Sequence, residues 1–267
     1  AMNQGRLLGL TTKSFLPNYG EFYEMRQFTQ GPRKARTVLY DGREVPFGPQ
    51  LLFAARQMEE LVVSAEVCED VWCPVPPSIE AAREGAVLIA NCSASDETIG
   101  KASYRRSLIE GQSARLICGY IYANAGEGES TTDLVFGGHN VIAENGTVLE
   151  ESSRFENGVI YTEIDVRRLV SERRKNTTFR MKEEQTLLRI PFDITIEKTL
   201  LTRSISSRPF VPQQQEERAR RCEEILTIQA MGLKKRLAHT NAKSAVVGIS
   251  GGLDSTLALL VTAKAFD

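Results

Sequence analysis

The stretch LVVSAEVCEDVWCPVPPSIEAAREGAVLIAN, residues 61–91, contains two short apolar runs, LVVSAE at 61–66 and AVLIAN at 86–91, on either side of a polar, proline-containing segment. Runs of this length and composition read as strands. Between them Ser78 can cap a short helix that continues through Arg83 and ends at Gly85. The result is a β-α-β unit, with Cys68 at the C-terminal edge of its first strand. A thiol held there by a turn is placed for attack, but with an ordinary pKa near ~8.5 it needs a base or a cation beside it. A cysteine considered alone is equally a small buried hydrophobe.

Outward from this unit the alternation continues. Leu108, Ala114, Leu116 and Ile117 predict a helix over 103–118, followed by a strand at 119–124. Apolar runs at 134–136 and 140–143 lead to Asn145-Gly146, the strongest short hairpin signal, and VIYTEIDV at 159–166 alternates as an antiparallel strand would. A mixed sheet is therefore expected. Towards the N-terminus, Asp41-Gly42 joins 37–40 to 45–47 as a hairpin, and residues 13–28 read as a loop running into a helix.

Downstream, 171–185 is highly charged and RSISSRPFVPQQQ at 203–215 carries two prolines among polar residues, as a linker does. Residues 216–240 place Cys222, Ile225, Leu226, Leu233 and Leu237 near one helical face. The sequence AVVGISGGLDSTLALLVTAKAFD at 245–267 then reads as strand, glycine turn and helix. Glycines let the backbone approach an anion, free N–H groups at the helix start point at it, and the hydroxyls of Ser250 and Ser255 add donors. No lysine follows the glycines, so the Walker pattern GxxxxGK[ST] is not met.

The whole chain of 267 residues balances 33 basic against 34 acidic side chains, a formal charge of −1, with 42% hydrophobic content. That composition excludes disorder and gives no global attraction to nucleic acid or an anionic membrane. Five cysteines without a CxxC pair and only two histidines do not make the usual zinc sets, so a reducing compartment without structural metal is expected. No apolar stretch approaches the ~18–20 residues of a membrane span, and 1–12 lacks the features of a signal peptide, so the cytoplasm is the expected location.

The string SGGLDS resembles the pyrophosphate-binding loop of the ATP pyrophosphatase superfamily. Lys13-Ser14-Phe15-Leu16-Pro17-Asn18-Tyr19, Cys68-Glu69-Asp70, residues 91–95 and ANAGEGESTTDLVFGG at 123–138 together resemble the glutaminase domain of the glutamine-dependent NAD synthetase family, a branch of the nitrilase superfamily. The resemblance spans nearly the whole chain. It implies an α/β chain: a nitrilase-like α-β-β-α sandwich, N-terminally truncated, over 1–202, a linker at 203–215, and over 216–267 the first strand-loop-helix of a doubly wound α/β domain.

By the same resemblance Cys68 matches the nucleophile of a Glu–Lys–Cys triad, and Lys13 the lysine that stabilises the developing oxyanion and favours the thiolate. Tyr19, Glu69, Ser95 and Lys101 fall where the family contacts glutamine. Ser250, Gly251, Gly252, Asp254 and Ser255 fall on the ATP loop, with Asp254 either holding a metal or capping the helix. The implied activity is glutamine hydrolysis that supplies ammonia to ATP-activated deamido-NAD, with Mg²⁺ offsetting phosphate charge, a covered path for the ammonia and a homo-oligomeric assembly. Glu97 and the glutamates at 127–129 read as solvated loop charges.

Residues 1–12 contain no Asp or Glu, so the triad's glutamate is not found upstream of Lys13. The expectation is an excised middle of a longer enzyme, inactive by itself. The alternatives are a simple nitrilase-type amidase, another amidotransferase, or a catalytically silent assembly module; SGGLDS argues against the simple amidase.

Overall fold

The computed structural model describes residues 1–129, 133–212 and 214–267, so residues 130–132 of the 123–138 stretch and Gln213 of the linker lie outside the described residues. The chain forms two compact units, Ala1–Arg203 and Ser204–Asp267.

In the first unit β1 (Met2–Asn3) and β2 (Arg6–Leu7) make a small antiparallel ribbon. A three-stranded sheet follows from β3 (Leu10–Thr11), β4 (Arg36–Tyr40) and β5 (Arg43–Gly48), in the order β3-β5-β4. Asp41 and Gly42 both take positive φ in the β4–β5 turn, as the tight hairpin turn requires.

The main sheet has seven strands: β6 (Leu52–Ala55), β7 (Val62–Val67), β8 (Leu88–Ser93), β9 (Gly119–Asn124), β10 (Val141–Glu144), β11 (Thr147–Glu151) and β12 (Arg189–Phe192). Their order is β11-β10-β9-β8-β7-β6-β12. The central β7, β8 and β9 are parallel, β6 and β10 flank them antiparallel, and β12 runs parallel to β6, so the sheet is mixed. Along β7 Val62, Ser64 and Glu66 are buried while Val63, Ala65 and Val67 are half-buried, the alternation a pleated strand imposes. The buried face packs Val62, Ile89 and Tyr120 with Ala81 and Ala82 of α1 (Pro77–Arg83) and Ile109 and Leu116 of α2 (Lys101–Leu116). A further helix, α3 (Val166–Lys175), buries Val166 and Leu169 with Val87 and Ile117.

Four local expectations are corrected. Pro76 and Pro77, rather than Ser78, begin α1, as suits a residue with fixed φ and no N–H to satisfy. The Ser78 N–H instead donates to Glu66 Oε2 at 2.9 Å, and Ser78 Oγ accepts from Gln112. Residues 159–166 form no strand among the described residues: Ile164 packs into the α3 cluster, and Asp165 caps α3 by accepting from Arg168 N–H. Their alternation therefore records the half-buried Ile164, a helix cap and the buried first residue of α3, Val166, not a ladder. Residues 13–28 contain a single 3₁₀ turn, Glu24–Arg26, instead of a longer helix. Glu97, read as solvated, has its side chain 5% exposed and ion-paired with the buried Arg105.

The segment before β12 is fastened by Glu84. Its carboxylate accepts from Thr186 N–H and Oγ1, Leu187 N–H and Lys182 Nζ. Burial works to raise its pKa, but these donors outweigh burial and hold the carboxyl below its ordinary value. A carboxyl lowered on folding stabilises the protein above its unfolded pKa of ~4.3, and that contribution is lost as pH falls through the lower folded value. Glu84→Gln is expected to cost about 1–3 kcal/mol at neutral pH and to flatten the acid limb of a plot of Tm against pH. An acid limb identical to that of the unaltered protein would show that these bonds carry no linkage.

The second unit consists of α4 (Gln215–Thr240) and α5 (Leu253–Phe266), with an ion pair between Glu223 and Lys264. Residues 245–249, expected as a strand, pair with no strand among the described residues, and Val246 is 98% exposed. A strand exists only through the hydrogen bonds of a neighbour.

Candidate active site

Cys68 directly follows β7 and begins a 3₁₀ turn, Cys68–Val71, with φ of 48°. The left-handed region is costly for a residue with a Cβ, and such strain persists only where the surroundings impose it. Here Asn91 imposes it. Its Oδ1 accepts from Cys68 N–H at 3.0 Å, and its Nδ2 reaches Cys68 O at 3.4 Å and Tyr120 Oη at 3.2 Å. The register of β7 on β8, Glu66 opposite Asn91, puts that amide beside the turn. Behind it the Tyr120 hydroxyl donates to Glu66, whose carboxyl is raised by burial.

Lys13 follows β3. Its Nζ contacts Glu24 Oε1 at 2.6 Å and Oε2 at 2.5 Å. Lys13, Glu24 and Cys68 line one cavity of about 1020 Å³, together with Cys92, Ser93 and Ala94 at the end of β8. Burial pushes Cys73 up to about 11 and Cys118 up to about 12, so those two thiols stay protonated at neutral pH and are poor nucleophiles.

The four residues matched to glutamine are distributed unequally. Tyr19 and Glu69 line an adjoining cavity of about 640 Å³, with the Tyr19 hydroxyl donating to Glu69 Oε1 at 2.6 Å. Burial and that bond push the Tyr19 hydroxyl up, so it remains a donor. Lys101 reaches Asp96 and lies over the rings of Phe22 and of Trp72, which also lines that cavity. Ser95 is buried, its N–H donating to Asn124 Oδ1 and its hydroxyl accepting from Arg105. In the second unit Gly251 has φ of 82°, a conformation that favours glycine. Ser250 N–H donates to Ser255 Oγ at 3.2 Å, and Ser255 Oγ donates to Gly252 O at 3.0 Å. Gly252 occupies the cap position of α5, so Asp254 lies in the first turn and does not cap the helix.

Three residues of the site carry no role in the sequence reading. Glu24 follows Lys13 by eleven positions, whereas the carboxylate was sought upstream. Asn91 and Asp70 stand inside recognised strings, but which backbone groups they hold depends on strand register and turn geometry.

The sequence profile of the carbon-nitrogen hydrolases matches residues 2–174. The chain belongs to the carbon-nitrogen hydrolase family. A second profile, described as NAD synthase, matches residues 225–267. It is 42% identical to a glutamine-dependent NAD(+) synthetase of Mycobacterium bovis and 43% identical to one of Mycobacterium leprae, in each case over 100% of this chain and 41% of the relative. The chain thus spans about two fifths of the length of these curated relatives. A solved glutamine-dependent NAD(+) synthetase of Cytophaga hutchinsonii is 33% identical, covering 55% of this chain and 23% of that one with a TM-score of 0.47. The mixed sheet with helices packed on it agrees with the nitrilase-like α/β fold expected of the family. Among the described residues no helix is long and apolar enough to cross a membrane.

Proposed function

We propose that residues 1–202 are a glutaminase, linked through 203–215 to the start, at 216–267, of an ATP-binding synthetase domain, in a protein that makes NAD from deamido-NAD. The observation that carries this reading is the placement of Cys68, on a strained turn, in the same cavity as the Lys13–Glu24 pair.

In this mechanism Cys68 Sγ attacks the side-chain amide carbon of glutamine, and Lys13 stabilises the developing oxyanion. Glu24, with both oxygens on Lys13 Nζ, orients that nitrogen. The leaving nitrogen takes up the proton given up by the Cys68 thiol, so the tetrahedral adduct expels neutral ammonia and leaves a glutamyl thioester, which water hydrolyses to glutamate and the free thiol. Tyr19, Glu69, Ser95 and Lys101 contact glutamine. Ser250, Gly251, Gly252, Asp254 and Ser255 cradle the pyrophosphate of ATP. The carboxylate of deamido-NAD attacks the α-phosphorus of ATP there, pyrophosphate leaves, and ammonia then displaces AMP from the acyl adenylate. Mg²⁺ commonly binds one or two carboxylates together with substrate phosphates, and Asp254 with the two serine hydroxyls fits that mode; bound with ATP, the ion would offset phosphate charge.

The second half of the proposal is tested by ATP–pyrophosphate exchange in the intact protein. Exchange is expected to require deamido-NAD and to fall by about 10²-fold or more when Asp254 and Ser255 are both replaced by alanine. Exchange that persists in the double variant would remove the adenylylation reading.

A further inference from the structure

We infer that Asp70 is a positioning residue for Lys13: its carboxylate fastens the lysine segment to the cysteine turn and thereby sets the approach of the Lys13 ammonium to the Cys68 thiol. This rests on the proposed role of Cys68 as nucleophile.

The two segments are distant in sequence, and the buried Asp70 side chain bonds to the backbone of both. Asp70 Oδ2 accepts from Val67 N–H at 2.9 Å, closing the turn that carries Cys68. Asp70 Oδ1 accepts from both Ser14 N–H and Phe15 N–H at 3.0 Å, the two residues that follow Lys13. Asp70 is 1% exposed, so these bonds are made out of water, where a lost partner is costly. Turn closure needs only one oxygen. The other is committed to the lysine segment. The Lys13 carbonyl is held separately by Gly31 N–H at 3.1 Å, and its ammonium by Glu24, so the residue is fixed at both ends.

An asparagine at position 70 has the same shape, but its NH₂ group would face N–H donors. It can keep the turn or the lysine segment, not both. The electrostatic and positional effects of that change have opposite signs. Removing a negative charge near Cys68 favours the thiolate and would speed its alkylation. Releasing Lys13 disfavours the thiolate and would slow it.

The test is the rate of iodoacetamide alkylation of Cys68 against pH in the intact protein, resolved from the other cysteines by peptide mass spectrometry. Lys13→Met is expected to move the midpoint to higher pH. Asp70→Asn is expected to move it the same way, slowing alkylation at pH 7 by about 3–10-fold, and the double variant to add little to Lys13→Met alone. If Lys13→Met shifts the profile and Asp70→Asn leaves it unchanged or moves it to lower pH, the inference is overturned while the active-site reading stands. If Lys13→Met itself shifts nothing, the active-site reading fails. Should Asp70→Asn not fold, Ser14→Pro removes one donor and leaves the carboxylate in place. The same upward shift is expected from it, and an unmoved profile would count against the inference.

Discussion

Replacing Cys68 with alanine is expected to lower ammonia release from glutamine by about 10⁴-fold or more, because the proposed covalent route runs through its sulfur. The choice among five cysteines is physical. Cys118 is sealed in the core, Cys73 is raised by burial and donates to Asp70 O, and Cys222 lies in the other unit. Cys92 is exposed and lines the same cavity, but it belongs to a regular strand. Only Cys68 sits on a turn whose left-handed φ is held by a side-chain amide. The alanine variant keeps the backbone bonds to Asn91, so loss of activity without loss of Tm is the expected signature. The proposed formation of NAD from added ammonium salt is expected to survive, since the ATP chemistry proposed for the loop at 250–255 does not use this thiol. Ammonia release at the parental rate in Cys68→Ala would end the assignment, and an unchanged rate in Cys92→Ala would exclude the neighbouring thiol as the true nucleophile.

The strands and helices around that site were legible where a local signal coincided with burial. The run at 61–66 alternates into a core, Asn145-Gly146 makes its turn between β10 and β11, and the strand at 119–124 has the bounds its composition predicts. The two expected strands that do not form share a cause. Residues 159–166 have the right alternation and residues 245–249 the right apolar content, but a strand requires a partner and no local pattern specifies one. The site divides in the same way. Cys68 and Lys13 were recognisable as residue types in familiar strings. The pairing of Lys13 with Glu24, the clamp from Asn91 and the three bonds of Asp70 depend on chain segments brought together by register and turn closure.

A second large effect lies away from the site, at Arg173 on α3. Its guanidinium has no carboxylate partner among the described residues and is spent on backbone carbonyls. Nε donates to Leu116 O at 3.1 Å and Ile117 O at 3.0 Å, and Nη2 donates to Ala86 O and Leu116 O at 2.8 Å each. Nη1 reaches Ala82 O at 3.5 Å, and the group lies 4.8 Å from the Phe179 ring centroid. These carbonyls end α1 and α2 and enter β8, the places where a helix leaves oxygens unpaired and where its dipole favours a cation. Burial draws the Arg173 pKa down to about 10, which still leaves it charged at neutral pH. One side chain therefore satisfies the ends of two helices and ties α3 to the sheet. Arg173→Ala strands several buried carbonyls at once and opens a cavity beside Phe179, an expected loss of about 3–5 kcal/mol against a total stability of order 5–15 kcal/mol. Tm should fall by about 10 °C or more. Arg173→Lys recovers only part, because an ammonium offers three donors at one point where the planar fork reaches carbonyls on three segments. A melting curve for Arg173→Ala within a degree or two of the unaltered protein would mean that solvent or a neighbouring donor replaces the guanidinium. The helix ends would then not depend on α3 for their satisfaction.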